Sequence, residues 1–90
     1  MEKIIKRHPT FDKHYRKRIL PHPNLDIKFQ ERITLFIFNP MYPLLKDHPL
    51  TGKKAHLRSF SITGDIRVIY QEIFPGEILL IDIGTHNQVY

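Results

Sequence analysis

Three segments of this 90-residue chain carry side chains suited to proton transfer. Asp47-His48-Pro49-Leu50 presents an imidazole within a proline-rich stretch, and Thr63-Gly64-Asp65 presents a carboxylate in a short turn. Gly84-Thr85-His86 delivers a second imidazole directly after the apolar run Ile78–Ile83. Histidine exchanges protons near neutral pH, and a carboxylate can orient an imidazole or take a proton from a ribose hydroxyl. Arg67, two positions after Asp65, can stabilise charge developing on phosphoryl oxygens. Together these residues form a kit for cutting a phosphodiester. An RNA 2′-hydroxyl would supply its own nucleophile, so no metal or other cofactor is required. His48, His56, Asp65 and His86 could instead bind zinc, but no compact pair spacing supports that use. Glycine-rich phosphate loops, nucleophile elbows and zinc-finger spacings are absent from the sequence.

Each residue also has an ordinary reading. His48 before a proline can close a loop, and an aspartate after Thr-Gly is what many turns use. The elements that would bring the groups together therefore decide the matter. Lys3–Arg7 has the look of a short strand stopped by Pro9. Thr10 is placed to cap a helix in which Phe11, Tyr15 and Ile19 share one face, leaving Lys13, Arg16 and Lys17 outward. Asn24 is placed to cap a second helix carrying Leu25, Phe29, Ile33 and Phe36 at helical spacing, ended by Asn39-Pro40. Met41–Gly52 holds two prolines without a clear period and reads as a loop. Ala55–Ile62, Ile66–Glu72 and Ile78–Ile83 then read as strands joined by tight turns, an antiparallel meander. The order β-α-α-β-β-β predicts an α+β fold with a helical hairpin packed on one face of a small, mainly antiparallel sheet.

On that meander Arg67 and Tyr70, three apart, must point to opposite faces, with Tyr70 in the core. Arg58 must lie on the opposite face from Ser59 and Ser61. His8, His14 and His22 read as surface residues. A chain of this length supports one hydrophobic core, and residues 1–90 are expected to form one domain. Cysteine is absent, and no stretch approaches the ~20 apolar residues of a membrane span. No signal peptide opens the chain, so a soluble cytoplasmic protein without a membrane partner is expected.

The formal charge of +5 is unevenly placed. Residues 1–45 hold nine Lys/Arg against four Asp/Glu, whereas residues 46–90 hold five of each. Lys13, Arg16, Lys17 and Arg18 form the densest basic cluster, of a kind that attracts a phosphate backbone or an acidic protein.

The joint order of Asp47-His48-Pro49-Leu50, Thr63-Gly64-Asp65-Ile66-Arg67-Val68-Ile69-Tyr70 and Gly84-Thr85-His86, closing on Val89-Tyr90, resembles the RelE superfamily of type II toxins, its YafQ-like branch above all. The resemblance covers essentially the whole chain and implies the same β-α-α-β-β-β fold. It implies a metal-independent endoribonuclease that cuts mRNA in the ribosomal A site and is neutralised by a cognate acidic antitoxin. His48, Asp65 and His86 would be catalytic, with Asp65 or His48 taking the 2′-hydroxyl proton and His86 protonating the leaving 5′-oxygen. Arg67, with Lys53 or Lys54, would hold the scissile phosphate, Ser61 would lie in the substrate site, and Tyr90 would stack on a base. Lys13, Arg16, Lys17 and Arg18 would engage ribosomal RNA. One departure stands out: the YafQ-like pattern has a histidine four residues before the aspartate, and this chain has Ser61. That substitution favours the alternative of a non-catalytic binder on the same fold, including a gyrase-poisoning relative.

Overall fold

In the computed structural model, which describes residues 3–90, prolines set where both long helices begin. Helix α1 (Pro9–Arg18) starts on Pro9, and His8 caps it by accepting the Thr10 N–H at Nδ1, 3.0 Å away. Helix α2 (Pro23–Phe38) likewise starts on Pro23, after His22. The expected caps Thr10 and Asn24 therefore lie inside the helices. Proline lacks the N–H that a first-turn residue leaves unpaired, and its φ is already helical, so it claims the first position.

The helix faces are those the spacing implies. Phe11, Ile19, Phe29 and Phe36 are buried, with Tyr15, Leu25 and Ile33 packed against them. Tyr15 meets Phe29 edge-on with ring centroids 4.9 Å apart, and its hydroxyl donates to Asp26, tying α1 to α2. Phe36 stacks on Phe60 at 4.6 Å and stands edge-on to Tyr70 at 4.8 Å. Each such fully buried side chain contributes roughly 1.5–3 kcal/mol of transfer free energy.

The sheet beneath comprises β1 (Ile4–Arg7), β2 (His48–Pro49), β3 (Arg58–Ser61), β4 (Ile66–Phe74) and β5 (Glu77–Thr85), in the order β1-β5-β4-β3-β2. β1 runs parallel to β5; the remaining pairs are antiparallel. Strands β4 and β5 extend beyond the expected Ile66–Glu72 and Ile78–Ile83, whereas β3 is shorter than Ala55–Ile62. Residues Gly52–Lys54 coil instead into a 3-10 turn. Met41–Gly52 is more ordered than its prolines suggest, with a 3-10 turn at Pro43–Leu45 and β2 pairing His48 with Ser59. β5 carries an extra residue, Ile81, between the pairs Ile69–Asp82 and Tyr70–Leu80. A short helix α3 (His86–Val89) closes the described structure.

β1 stops opposite Leu80, which leaves the second half of β5 with an open edge. Helix α1 turns back along it. The His8 N–H donates to the Leu80 carbonyl at 2.8 Å, His14 Nδ1 bonds Asp82 Oδ1 at 2.6 Å, and Arg18 Nη1 donates to the Ile83 carbonyl at 3.0 Å. Edge carbonyls without partners are costly and adhesive, so this cover is a structural necessity. His14 is consequently half-buried and bonded, a correction to its reading as a surface residue. Gly84 follows from the same contact: a Cβ there would meet Gln88 Oε1 at 2.6 Å and Arg18 Nη1 at 2.7 Å.

Candidate active site

His86 is positioned by backbone. The ladder of β4 and β5 runs to its last pair, Ile66–Thr85, and Thr85 then turns the chain into α3. Thr85-His86-Asn87-Gln88 has the spacing of a capping box, and Gln88 Oε1 accepts the Thr85 N–H at 2.8 Å. Helix α3 folds back against β4 and β5 with Val89 buried. Tyr90 then donates its hydroxyl to Ser59 Oγ, 2.5 Å away and fully buried. The His86 ring lies edge-on to Tyr90, centroids 4.3 Å apart.

His48 of β2 pairs with Ser59, and the side chain of its neighbour reaches β3 and β4. The Asp47 carboxylate beside it is completely buried and accepts Arg58 Nε at 2.7 Å and the Tyr70 hydroxyl at 2.6 Å. A buried carboxylate is tolerable only with such partners. They respond in turn: the hydrogen bond to Asp47 raises the Arg58 pKa above its ordinary value, and burial, then Asp47, pushes the Tyr70 phenol up. Lys46 takes up a left-handed conformation, φ +51°. Its carbonyl thereby reaches His48 Nδ1 at 2.9 Å. A carbonyl only accepts, so Nδ1 is the donor, and in the neutral ring the lone pair lies at Nε2.

His48 and His86 line one hollow of about 380 Å³ together with Pro49, Leu50, Thr51, Lys54 and Tyr90. The expected trio around it is incomplete. Asp65 is exposed on the β3–β4 turn, where its own N–H and that of Ile66 both bond Thr63 Oγ1. It leaves the Ile66–Thr85 pair at the same corner as His86, yet it does not line the hollow. Arg67 and Ser61 line a second, smaller hollow, and Lys53 lies exposed beside Lys54 outside either lining. Lys13, Arg16 and Lys17 project from α1 as expected. Arg18 is half-buried and committed to Ile83 and to Asp82, 3.6 Å away. Tyr70 is in the core and Arg67 on the other face, as alternation requires. No group of three or more His, Cys, Asp or Glu side chains capable of holding a metal occurs among the described residues.

Two residues that position the site escape a reading of motifs alone. Asp47 anchors the His48 loop and Ser59 anchors Tyr90. The usable signal lies in β3, whose parity sends Arg58 and Ser59 to opposite faces, each available to a different half of the site.

A family model described as "Bacterial toxin of type II toxin-antitoxin system, YafQ" matches residues 3–90. Among solved structures, YafQ from E. coli superimposes with a TM-score of 0.80 at 23% identity, covering 99% of both chains. The E. coli DinJ-YafQ toxin-antitoxin complex gives 0.78 at 24% identity over 100% of this chain and 99% of the other. A copper-bound mutant toxin from Helicobacter pylori gives 0.77 at 26% identity over 100% of both. No curated protein sequence matches the chain.

Proposed function

The chain belongs to the YafQ family of bacterial type II toxins, and from that premise we propose that it is an endoribonuclease cutting mRNA in the ribosomal A site. The observation that carries this reading is the pair of imidazoles sharing one hollow, with the His48 Nδ1 proton already committed to the Lys46 carbonyl. Nε2 of His48 is then the base that takes the 2′-hydroxyl proton. The freed 2′-oxygen attacks the adjacent phosphorus, and the bond to the 5′-oxygen breaks as His86 donates its proton there. The products are a 2′,3′-cyclic phosphate and a 5′-hydroxyl. Lys54, also in the hollow, faces the charge growing on the phosphoryl oxygens. Tyr90, held at its hydroxyl by Ser59, offers its ring for stacking on a base. Asp65, outside the hollow, takes no proton in this scheme.

The exposed Lys13, Arg16 and Lys17 engage ribosomal RNA, with binding that weakens as salt rises. E. coli YafQ has been solved bound to DinJ, its antitoxin. By the same relationship the partner of this toxin is a cognate antitoxin, acidic in keeping with the basic charge of the chain. No helix of the described residues is long and apolar enough to cross a membrane, and the setting proposed is the cytoplasm.

A second reading, a non-catalytic binder on this fold, draws on Ser61 standing where the family pattern has a histidine. Primer extension on programmed ribosomes separates the two: A-site cuts exclude a pure binder. In the same assay His86→Ala is expected to slow cleavage by about 10²–10⁴-fold and to relieve growth arrest on induction. A His86→Ala protein that cuts and arrests growth as fully as its parent overturns the assignment.

A further inference from the structure

Apart from the imidazole hollow there is a smaller one of about 140 Å³, walled by Arg32 of α2, Lys46 and Arg67, with Ser61 and Thr63. Three cations converge there and no carboxylate lines the space. None of the three belongs to an ion pair among the described residues, although six other basic side chains do. Such a convergence is self-repulsive unless an anion offsets it. The arginines are also aimed. Arg67 Nη1 donates to the Thr63 and Gly64 carbonyls at 3.1 and 3.0 Å, and Arg32 Nη1 reaches the Leu44 carbonyl at 3.4 Å. These contacts fix the guanidinium planes and leave N–H groups over for the planar, charge-assisted bonding that phosphate accepts.

The two hollows draw on the same elements: Ser61 lines the small one, and Ser59 on the same strand holds the Tyr90 that lines the large one. Ser61 lies two residues beyond Ser59 on the same face of β3, about 7 Å along the strand, which is on the scale of one nucleotide step. Lys46 serves both sides, its side chain walling the small hollow while its carbonyl holds His48. We propose that Arg32, Lys46 and Arg67 form a phosphate subsite gripping a phosphodiester that flanks the scissile one in the RNA substrate. This rests on the nuclease reading of the larger hollow, and it moves Arg67 from the scissile phosphate to its neighbour.

The test uses the full chain with Arg32→Gln or Arg67→Gln and two probes. One is single-turnover cleavage of mRNA on programmed ribosomes; the other is binding of a 2′-O-methyl RNA octanucleotide, which cannot be cut. Each variant is expected to bind the octanucleotide about tenfold more weakly and to flatten the log–log salt slope by about 0.7. In cleavage, KM rises while kcat holds, the mark of binding lost equally in ground and transition states. Replacing the flanking phosphate by a neutral methylphosphonate weakens the parent to the same degree and leaves the variants unchanged. Arg67→Lys restores the slope, separating lost charge from a lost fold. Unaltered salt slopes in variants of a parent that cuts mRNA overturn the subsite and leave the nuclease standing. Loss of ribosome binding with octanucleotide binding intact also overturns it, by assigning the cations to ribosomal RNA. A parent that never cuts, with variants that still lose the slope, sinks the nuclease and keeps the phosphate grip.

Discussion

The two imidazoles of the hollow are held by opposite means. His86 stands at the end of a strand, where ladder pairing and the Gln88 side-chain bond to the Thr85 N–H fix its backbone. His48 stands in the two-residue strand β2, whose short pairing with β3 is backed by one buried carboxylate, Asp47, reaching Arg58 and Tyr70. The first device is distributed over many weak bonds and loses little when one fails. The second concentrates the same task in a single group of high electrostatic stake. An α+β toxin can thus fold robustly through its helices and sheet while one wall of its hollow leans heavily on one residue.

Removing that residue tests the contrast most severely. Asp47→Ala leaves a half-buried guanidinium and a buried phenol without their acceptor. We expect a loss of about 3 kcal/mol in urea unfolding, with the loop around His48 losing hydrogen-exchange protection before β5 does. Equal loss of protection in β5 would show that the two devices are one. Tyr70→Phe removes a single hydrogen bond to the same carboxylate and is expected to cost about 1–2 kcal/mol. It also carries a pH signature. Because the folded phenol holds its proton above the ordinary value, its contribution is complete below about pH 10 and erodes as pH rises beyond that. Urea midpoints measured at about pH 8 and about pH 11 should therefore diverge less in Tyr70→Phe than in the parent. Tyr15, raised by burial and by Asp26, keeps its own share of the alkaline loss in both proteins. The mildest case is Ser59→Ala on the opposite face. It frees the Tyr90 hydroxyl, costs about 1 kcal/mol or less, and slows cleavage less than tenfold, because the His86 backbone stays in place. A Ser59→Ala loss matching that of His86→Ala would mean that Tyr90, and not the ladder, holds the imidazole.

What could be read in advance follows the same division. Phe11, Tyr15 and Ile19, and then Phe29 and Phe36, repeat at helical spacing, and alternation along β3 and β4 sorts Arg58 from Ser59 and Arg67 from Tyr70. Local periodicity therefore sufficed for the α+β layering and for the burial of Tyr70. The strand ends were less legible. Thr85 to Gln88 carries a capping-box spacing that places His86 at the start of a helix, a signal overshadowed by Gly84. Contacts among residues 47, 58 and 70 cross two strands, and no spacing in the chain announces them. Nor does a turn sequence reveal whether Asp65 lines the hollow of His48 and His86, and it stands outside that lining. His14 looked free because its partner, Asp82, lies 68 positions away.

The parallel pairing of β1 with β5 has a consequence for synthesis order. Residue 4 finds its partner only at residue 77, so the sheet stays incomplete until nearly all of the described chain has left the exit tunnel. Loop closure over that span rewards nothing on the way. A half-made copy therefore lacks both the closed sheet and His86. On the nuclease reading proposed above, the order of its strands keeps a nascent copy inert until the sheet is complete.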